Sequence, residues 1–167
     1  MSEWIKELAL KASMPERVSG VRIPPSPLNR LLLFDILGLM LKNKINKLKL
    51  SVLPEKLSIC RLDANSQIPD WVGRGSDFFS TTKTSDELSV VCEEKAVPKN
   101  IKAENDWRAF KIEGPLDFSL CGILVSLLVP LAKAKISVFT ISTYDTDYIL
   151  VKEDKLDKAI QVLNLSV

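Results

Sequence analysis

Two acidic turns contain the residues whose types and spacing could do chemistry. The first runs from Gly114 to Leu120 and the second from Ser142 to Asp147. Gly114 and Pro115 turn the chain sharply off a strand, and the helix start that follows leaves N–H groups and a positive dipole end that suit a carboxylate. One carboxylate of the second turn could pair with an ammonium group. The two turns together predict a place for a small zwitterion.

Both turns also have an ordinary structural interpretation. Asp117 or Ser119 can cap the following helix, because a short oxygen-bearing side chain accepts an unpaired N–H of the first helical turn. Aspartate in a hairpin turn commonly bonds its own backbone. Asp145 and Asp147 are only two residues apart in one turn, and we interpret them as a poor acid–base pair and a poor metal clamp. A single carboxylate that pairs with a ligand ammonium is the more economical functional hypothesis.

The absence of histidine narrows the function classes. Histidine is the commonest general base near neutral pH and the commonest metal ligand. No nucleophile and base share a catalytic spacing, so we expect no enzyme, no metal site and no cofactor. Cys60, Cys92 and Cys121 share no CxxC spacing and lie in apolar runs, which predicts reduced core thiols in a cytoplasmic protein. A reactive or ligating cysteine is the alternative.

The charge distribution argues against nucleic acid as a partner, and the length of the apolar run near the N-terminus argues against a membrane. Residues 1–47 hold eight Lys or Arg and four Asp or Glu, so the other 120 residues carry fifteen against seventeen despite a net charge of +2. A nucleic-acid footprint would gather Lys and Arg on the domain itself. Trp107, Phe110 and Tyr148 on predicted strands could stack bases, but the basic face and the glycine–aromatic alternation of such sheets are missing. The apolar run 31–41 is too short to span a bilayer and lacks the order of a secretory signal.

Residues 1–47 are expected to be an N-terminal extension, either disordered or outside the translated protein. Val21–Pro27 has three prolines in four positions and should neither continue a helix nor pair in a sheet. The codons GTT CGA ATC can encode Val21 to Ile23, and GTTCGAATC is the T-loop sequence common to bacterial tRNA genes. We therefore expect a gene start called too early, with Met40 as the initiator. A Pro-rich ligand for a partner groove or a targeting segment is the alternative.

The remaining chain alternates strands and helices in two parts. The first part, residues 48–95, is expected to be a β-β-β subdomain with a small helical turn at 68–72 and a hairpin at Ser85-Asp86. A linker at 96–106 leads to the second part, residues 107–167. Its pattern predicts strands at 107–112, 136–142 and 148–152 and helices at 120–131 and 154–163.

The second part therefore has the order β-α-β-β-α of a ferredoxin-like unit without its closing strand. Only Leu165-Ser166-Val167 remains to supply that strand. The first helix buries one leucine-rich face. Its flank of Cys121, Val125 and Val129 is apolar too, so the other subdomain or a second copy of the chain is expected to cover it.

The motifs EGPLDFSLCGIL and STYDTDYILVKE resemble the C-terminal ACT domain of small bacterial two-ACT proteins. These proteins are similar to the CASTOR arginine sensors and to the regulatory tails of aspartate kinases. Residues 48–95, with Ser85–Val91, resemble their N-terminal half. The resemblance implies an α+β fold of tandem ferredoxin-like (ACT) βαββαβ-type units packed side by side, with antiparallel sheets and helices on one face.

The resemblance further implies a non-catalytic sensor module that holds an amino acid at an interface between ACT units. It would act through a homodimer or a regulated partner protein. A structural interaction domain with a vestigial site is the alternative. Lys135 departs from the helix-ending glycine that is usual in the family, and Cys121 from a threonine. The implied ligand-binding residues are Asp117, Phe118, Ser119, Ser137, Val138, Thr143, Tyr144 and Asp147.

Overall fold

The computed structural model describes residues 16–18, 21–23, 48–75 and 77–165. The chain divides into two compact units. One contains residues 1–47 together with Phe118–Leu127, and the other contains Leu48–Asp117 together with Leu128–Val167. The predicted initiator Met40 and most of the predicted extension lie outside the described residues. No helix in the described part of the chain is long and apolar enough to cross a membrane.

The first unit contains a short antiparallel hairpin. Strand β1 (Glu16–Val18) pairs with β2 (Val21–Ile23), with Arg17 opposite Arg22. The expectation that the segment from Val21 cannot pair in a sheet is therefore wrong for its first three residues. The physical reason is that its prolines begin only at Pro24, so the N–H groups before that position remain available.

A seven-stranded antiparallel sheet forms the second unit. The strand order along it is β5-β6-β4-β7-β9-β8, and β3 also pairs with β7. Two turns of 3₁₀ helix follow β6 and β9, at Glu94–Ala96 and Glu153–Lys155. The strands are β3 (Leu50–Val52), β4 (Leu57–Leu62), β5 (Ser80–Lys83), β6 (Leu88–Glu93), β7 (Ala103–Ile112), β8 (Val138–Ser142) and β9 (Asp147–Lys152).

The sheet consists of two halves with the same strand order. The N-terminal half is β4-β6-β5, the C-terminal half is β7-β9-β8, and β4 joins β7 in the middle, with Leu57 opposite Trp107. Each half has the order first–third–second strand that a ferredoxin-like unit requires. The predicted α+β class with side-by-side ferredoxin-like units and antiparallel strands is confirmed.

The hairpins of the two halves also repeat in sequence, at a separation of 59 residues. Thr84 and Asp86 in the first hairpin correspond to Thr143 and Asp145 in the second. Both hairpins close with the same main-chain bond, from Thr84 N–H to the Glu87 carbonyl at 2.9 Å and from Thr143 N–H to the Thr146 carbonyl at 2.8 Å. Our interpretation of the sequence did not use this repeat.

Strand β3 occupies the position of the closing strand of the C-terminal half. It runs antiparallel to the end of β7, with Leu50 opposite Ile112 and Val52 opposite Phe110. We expected only residues 165–167 to be available for this position. Leu165 is not part of a strand, and residues 166 and 167 lie outside the described residues. The closing strand therefore comes from a segment that precedes both halves in the chain.

Two α-helices complete the fold. Helix α1 spans Ile123–Lys133 and begins three residues later than predicted, and α2 spans Leu156–Leu163. In α1 the Ser126 N–H donates to the carbonyl of Gly122 at 3.1 Å, and Gly122 has φ of 75°. A glycine adopts this left-handed conformation without a steric cost, which explains why the helix starts there.

Apolar residues pack on both faces of the sheet because side chains alternate along each strand. One cluster, here called the inner cluster, contains Leu57, Val91, Trp107, Ala109 and Leu150, with Phe78, Phe139, Ile141 and Tyr148 packed against it. A second cluster contains Cys60, Val72, Leu88, Val90 and Cys92. The segment 96–106, predicted to be a linker, already contains the first residues of β7.

The cysteines only partly match the prediction of core thiols. Cys60 and Cys92 are free and buried on the neighbouring strands β4 and β6. A hydrogen bond with Cys60 and burial raise the pKa of the Cys92 thiol, so this thiol stays protonated near neutral pH. Cys121 is exposed, and the prediction of a core position is wrong there because the helix begins only after it.

Candidate functional site

The two acidic turns meet in the second unit through main-chain contacts. The Leu116 N–H donates to the Asp145 carbonyl at 2.8 Å. A Cβ atom on Gly114 would collide with that same carbonyl oxygen. The glycine therefore permits an approach that any larger residue would prevent.

A buried side-chain bond supports the same contact. Thr146, at the end of the second turn, donates its hydroxyl hydrogen to the carbonyl of Ile112, the last residue of β7. Thr146 is buried, so the loss of this bond would leave an unpaired polar group away from water. The sequence interpretation missed Thr146. The signal that could have found it is the repeat, in which a buried hydroxyl at 146 replaces the charged Glu87.

The second turn presents its tip to solvent. The Thr143 hydroxyl donates to the Thr146 carbonyl at 3.0 Å, beside the main-chain bond that closes the hairpin. Tyr144, at the tip, is 80% exposed, and Asp145 is exposed as well. The predicted ligand contacts Thr143 and Tyr144 therefore lie at an accessible end of the sheet.

Asp147 is the first residue of β9 and is half-buried. It lies opposite Ser142, whose hydroxyl donates to Asp147 Oδ1 at 2.5 Å. A carboxylate can accept about four hydrogen bonds, so this one bond leaves further capacity. The serine also orients the carboxylate, which favours a defined contact with a cationic group.

Ser137 and Val138 lie at the entrance to β8. Ser137 is exposed and Val138 is half-buried, directly after the buried Ile136. The end of α1 positions them, because the Ile136 N–H donates to the Leu131 carbonyl at 3.0 Å. Lys135 has φ of 58° at this helix end. A lysine in this conformation costs about 1 kcal/mol relative to glycine.

Asp117 and its two neighbours fall on either side of the boundary between the units. Asp117 ends the first segment of the second unit and is exposed. Phe118 and Ser119 form an exposed turn in the first unit, and Phe118 is 77% exposed. In that unit the Cys121 thiol donates to the Ser119 carbonyl at 3.6 Å. The role of these three residues in ligand binding stays a prediction.

Comparison with known proteins identifies the family. The family model for the ACT domain matches residues 102–164, and a second model, described as an N-terminal domain, matches residues 55–100. A solved structure of an Agrobacterium tumefaciens protein is 38% identical and has a TM-score of 0.66, with 70% of this chain and 87% of that chain covered. The chain belongs to the ACT-domain family. The site described above is thus the meeting point of two turns within an ACT domain.

Two further relatives are informative. The Homo sapiens protein named cytosolic arginine sensor for mTORC1 subunit 1 is 35% identical over 94 residues. This match covers 52% of the ACT-domain chain and 29% of the sensor, so the chain spans less than a third of that curated relative. The aspartate kinase of Clostridium acetobutylicum is 14% identical with a TM-score of 0.52, over 69% of this chain and 34% of the kinase. This likeness concerns the fold alone.

Proposed function

We propose that this ACT-domain protein is a non-catalytic regulatory module that binds a free amino acid. Membership of the ACT family and similarity to a protein named as an arginine sensor support a regulatory, ligand-sensing role. The single observation that carries the proposal is the main-chain contact between the two acidic turns, from Leu116 N–H to the Asp145 carbonyl at 2.8 Å. This contact joins the turns on which the sequence predicted the recognition groups.

The ligand's cationic group is proposed to pair with Asp147. Its carboxylate is oriented by Ser142 and lies at the end of a strand, where a small molecule can approach from solvent. A charge-assisted hydrogen bond to an ammonium or guanidinium group is about twice as strong as a neutral one. The polar groups of Ser137 and Thr143 and the ring of Tyr144 would complete the surroundings, together with Val138 and Asp117.

Regulation would follow from a difference in affinity. A ligand shifts an equilibrium only if it binds one arrangement more tightly than the other. An amino acid that bonds to both turns would favour the arrangement in which they are in contact. The readout would pass to a second copy or to a regulated partner protein. The ACT-domain protein itself is proposed to be cytoplasmic, because its described core thiols are free.

A thermal-shift screen with the twenty amino acids tests the proposal. A ligand at 100 times its Kd should stabilise the protein by about 2.7 kcal/mol. Asp147→Asn should then lose about 1–3 kcal/mol of binding free energy while the fold survives. Asp86→Asn is the matched control, because it removes the same charge from an exposed hairpin of the other half. No response to any amino acid, or equal affinity in both variants, would contradict the proposal.

A structural interaction domain remains the second candidate, and an exposed apolar surface of α1 favours it. Most residues of α1 are apolar, and one of them, Val125, is 53% exposed. Val125→Glu should leave the free energy of unfolding nearly unchanged, since surface substitutions usually have small effects. If a second copy covers this surface, sedimentation will show that the variant has lost a dimer. An unchanged sedimentation coefficient would remove Val125 from such an interface.

A further inference from the structure

A polar cleft lies between the two outermost strands of the sheet. In the described part of the chain, β5 pairs only with β6 and β8 pairs only with β9, so each strand has one open edge. A cavity of about 280 Å³ is nevertheless lined by residues of both strands. The sheet thus curls until its two ends border one cavity. The lining residues are Ser80, Thr81, Thr82, Ser89, Val91, Phe139, Thr140, Ile141 and Ser142.

The register shows which groups of β5 border the cleft. Residues of an antiparallel pair alternate between those that bond across the ladder and those whose main-chain groups point outward. Thr84 and Glu87 form a bonded pair at the hairpin, so the next bonded positions along β5 are Thr82 and Ser80. The main-chain N–H and carbonyl of Thr81 therefore point away from β6, towards the open edge.

The same reasoning applies to β8. The main-chain bond that closes its hairpin, between Thr143 and Thr146, places the bonded positions of the strand at Ile141 and Phe139. The main-chain groups of Thr140 and Ser142 therefore point away from β9. Both of these residues line the cavity, as does Thr81 on the opposite edge.

The other six lining residues contribute side chains from one face of the sheet. Val91, Phe139 and Ile141 belong to the inner cluster or pack against it. Ser80 lies opposite Val91, and Thr82 lies opposite Ser89. Because residues two apart on a strand share a face, all four side chains lie on the face of the inner cluster. The cleft therefore has two walls of outward main-chain groups and an interior of hydroxyl and apolar side chains.

The chemistry of the cleft suits an extended peptide. The described residues that line it include no charged residue and no proline, although natural sheets commonly protect open edges with such residues. In the strands themselves, Lys83 at the end of β5 is the one charged residue, and β8 has none. Outward N–H and carbonyl groups on both sides match the two edges of an added strand.

We propose that this cleft binds an extended peptide segment of a partner protein, which pairs with the edges of β5 and β8. The segment would be free of proline and would place small hydroxyl or apolar side chains towards Val91 and Phe139. This inference goes beyond the proposed amino-acid site, because none of the residues proposed to contact the amino acid lines the cleft. Ser142, which orients Asp147, borders both.

The test selects binders from a random 12-residue peptide display library against the full chain. The enriched sequences should have β-branched or hydroxyl residues at every second position and no proline in their centre. Affinity is then measured for Thr140→Pro, which removes one outward N–H and leaves the bonds to β9 in place. Thr140→Ala is the matched control, because it removes the hydroxyl group and keeps the N–H.

Strand pairing predicts that Thr140→Pro weakens binding by roughly tenfold and that Thr140→Ala changes it little. A peptide with N-methyl groups at alternate residues should lose binding to the unaltered protein, which keeps the test valid if the proline variant does not fold. The inference is overturned if no peptide is enriched, if N-methylation has no effect, or if Thr140→Ala alone abolishes binding. The thermal shift with amino acids is also measured for Thr140→Pro. If that shift persists while peptide binding is lost, the peptide cleft and the amino-acid site are independent.

Discussion

The two halves of the sheet have the same strand order but differ in the contacts that hold their hairpins. In the N-terminal half, the Arg61 side chain of β4 bridges to the hairpin between β5 and β6. Its Nε donates to Glu87 Oε2 at 2.7 Å, and another guanidinium nitrogen donates to the Asp86 carbonyl at 3.1 Å. In the C-terminal half, the corresponding turns touch through the main chain at Gly114 and Asp145.

This difference distinguishes the two halves chemically. The N-terminal half supplies its own cation, which pairs with the hairpin carboxylate of Glu87. In the C-terminal half the repeat places Asp147 where the N-terminal half has the buried Leu88. Only the second hairpin thus combines a strand-end carboxylate with a close turn contact. The proposed ligand site is therefore in the C-terminal half.

The largest expected effect comes from Gly114→Ala. The added Cβ would collide with a main-chain oxygen that cannot move without displacing the whole turn, so we expect a loss of about 3 kcal/mol in the free energy of unfolding. Urea denaturation measures it. Gly73→Ala is the control, because its Cβ would lie 3.7 Å from the Phe79 ring, an ordinary contact. Equal stability of the two variants would show that the turn contact is not a constraint.

Thr146→Val should have the next largest effect. Valine keeps the shape of the side chain but leaves the buried Ile112 carbonyl without its hydroxyl partner, which should cost about 1–2 kcal/mol. Thr82→Val is the control, since it makes the same change at an exposed strand position. Thermal and urea unfolding of both variants measure the difference. A Thr146 variant as stable as the control would argue against a structural role for this bond.

Lys135→Gly should stabilise the C-terminal half. Glycine adopts φ near 58° without the steric cost of a side chain, so the free energy of unfolding should rise by about 1 kcal/mol. Lys133→Gly, at the last residue of the same helix, is the control and should destabilise by up to about 1 kcal/mol. If both variants lose stability, the strain at the end of α1 is absent in solution.

Arg61→Met should have the smallest effect. The Arg61 and Glu87 side chains are 54% and 38% exposed, and exposed ion pairs usually contribute about 0.2–1 kcal/mol. The loss should shrink further at high salt because exposed charges are screened. Urea denaturation at two salt concentrations measures it. A loss as large as that of Gly114→Ala would mean that the N-terminal half depends on its bridge as strongly as the C-terminal half depends on its turn contact.

Local patterns predicted most of the C-terminal half. The apolar periodicity from Leu120 onward predicted α1, and the alternating runs before and after Thr143 predicted β8 and β9. Boundaries moved by a few residues where turn geometry decided them, as at Gly122. Such local preferences depend on neighbours in sequence, so the sequence alone can reveal them.

The sequence by itself determined the order of most elements, the two acidic turns and the absence of histidine. Only the tertiary structure decided that β3 closes the C-terminal half, that Gly114 touches Asp145 and that β5 and β8 border one cleft. Each of these features joins residues that are far apart in the chain. Their pairing depends on sheet register and curvature, which arise from the packing of all strands together and leave no local pattern to read.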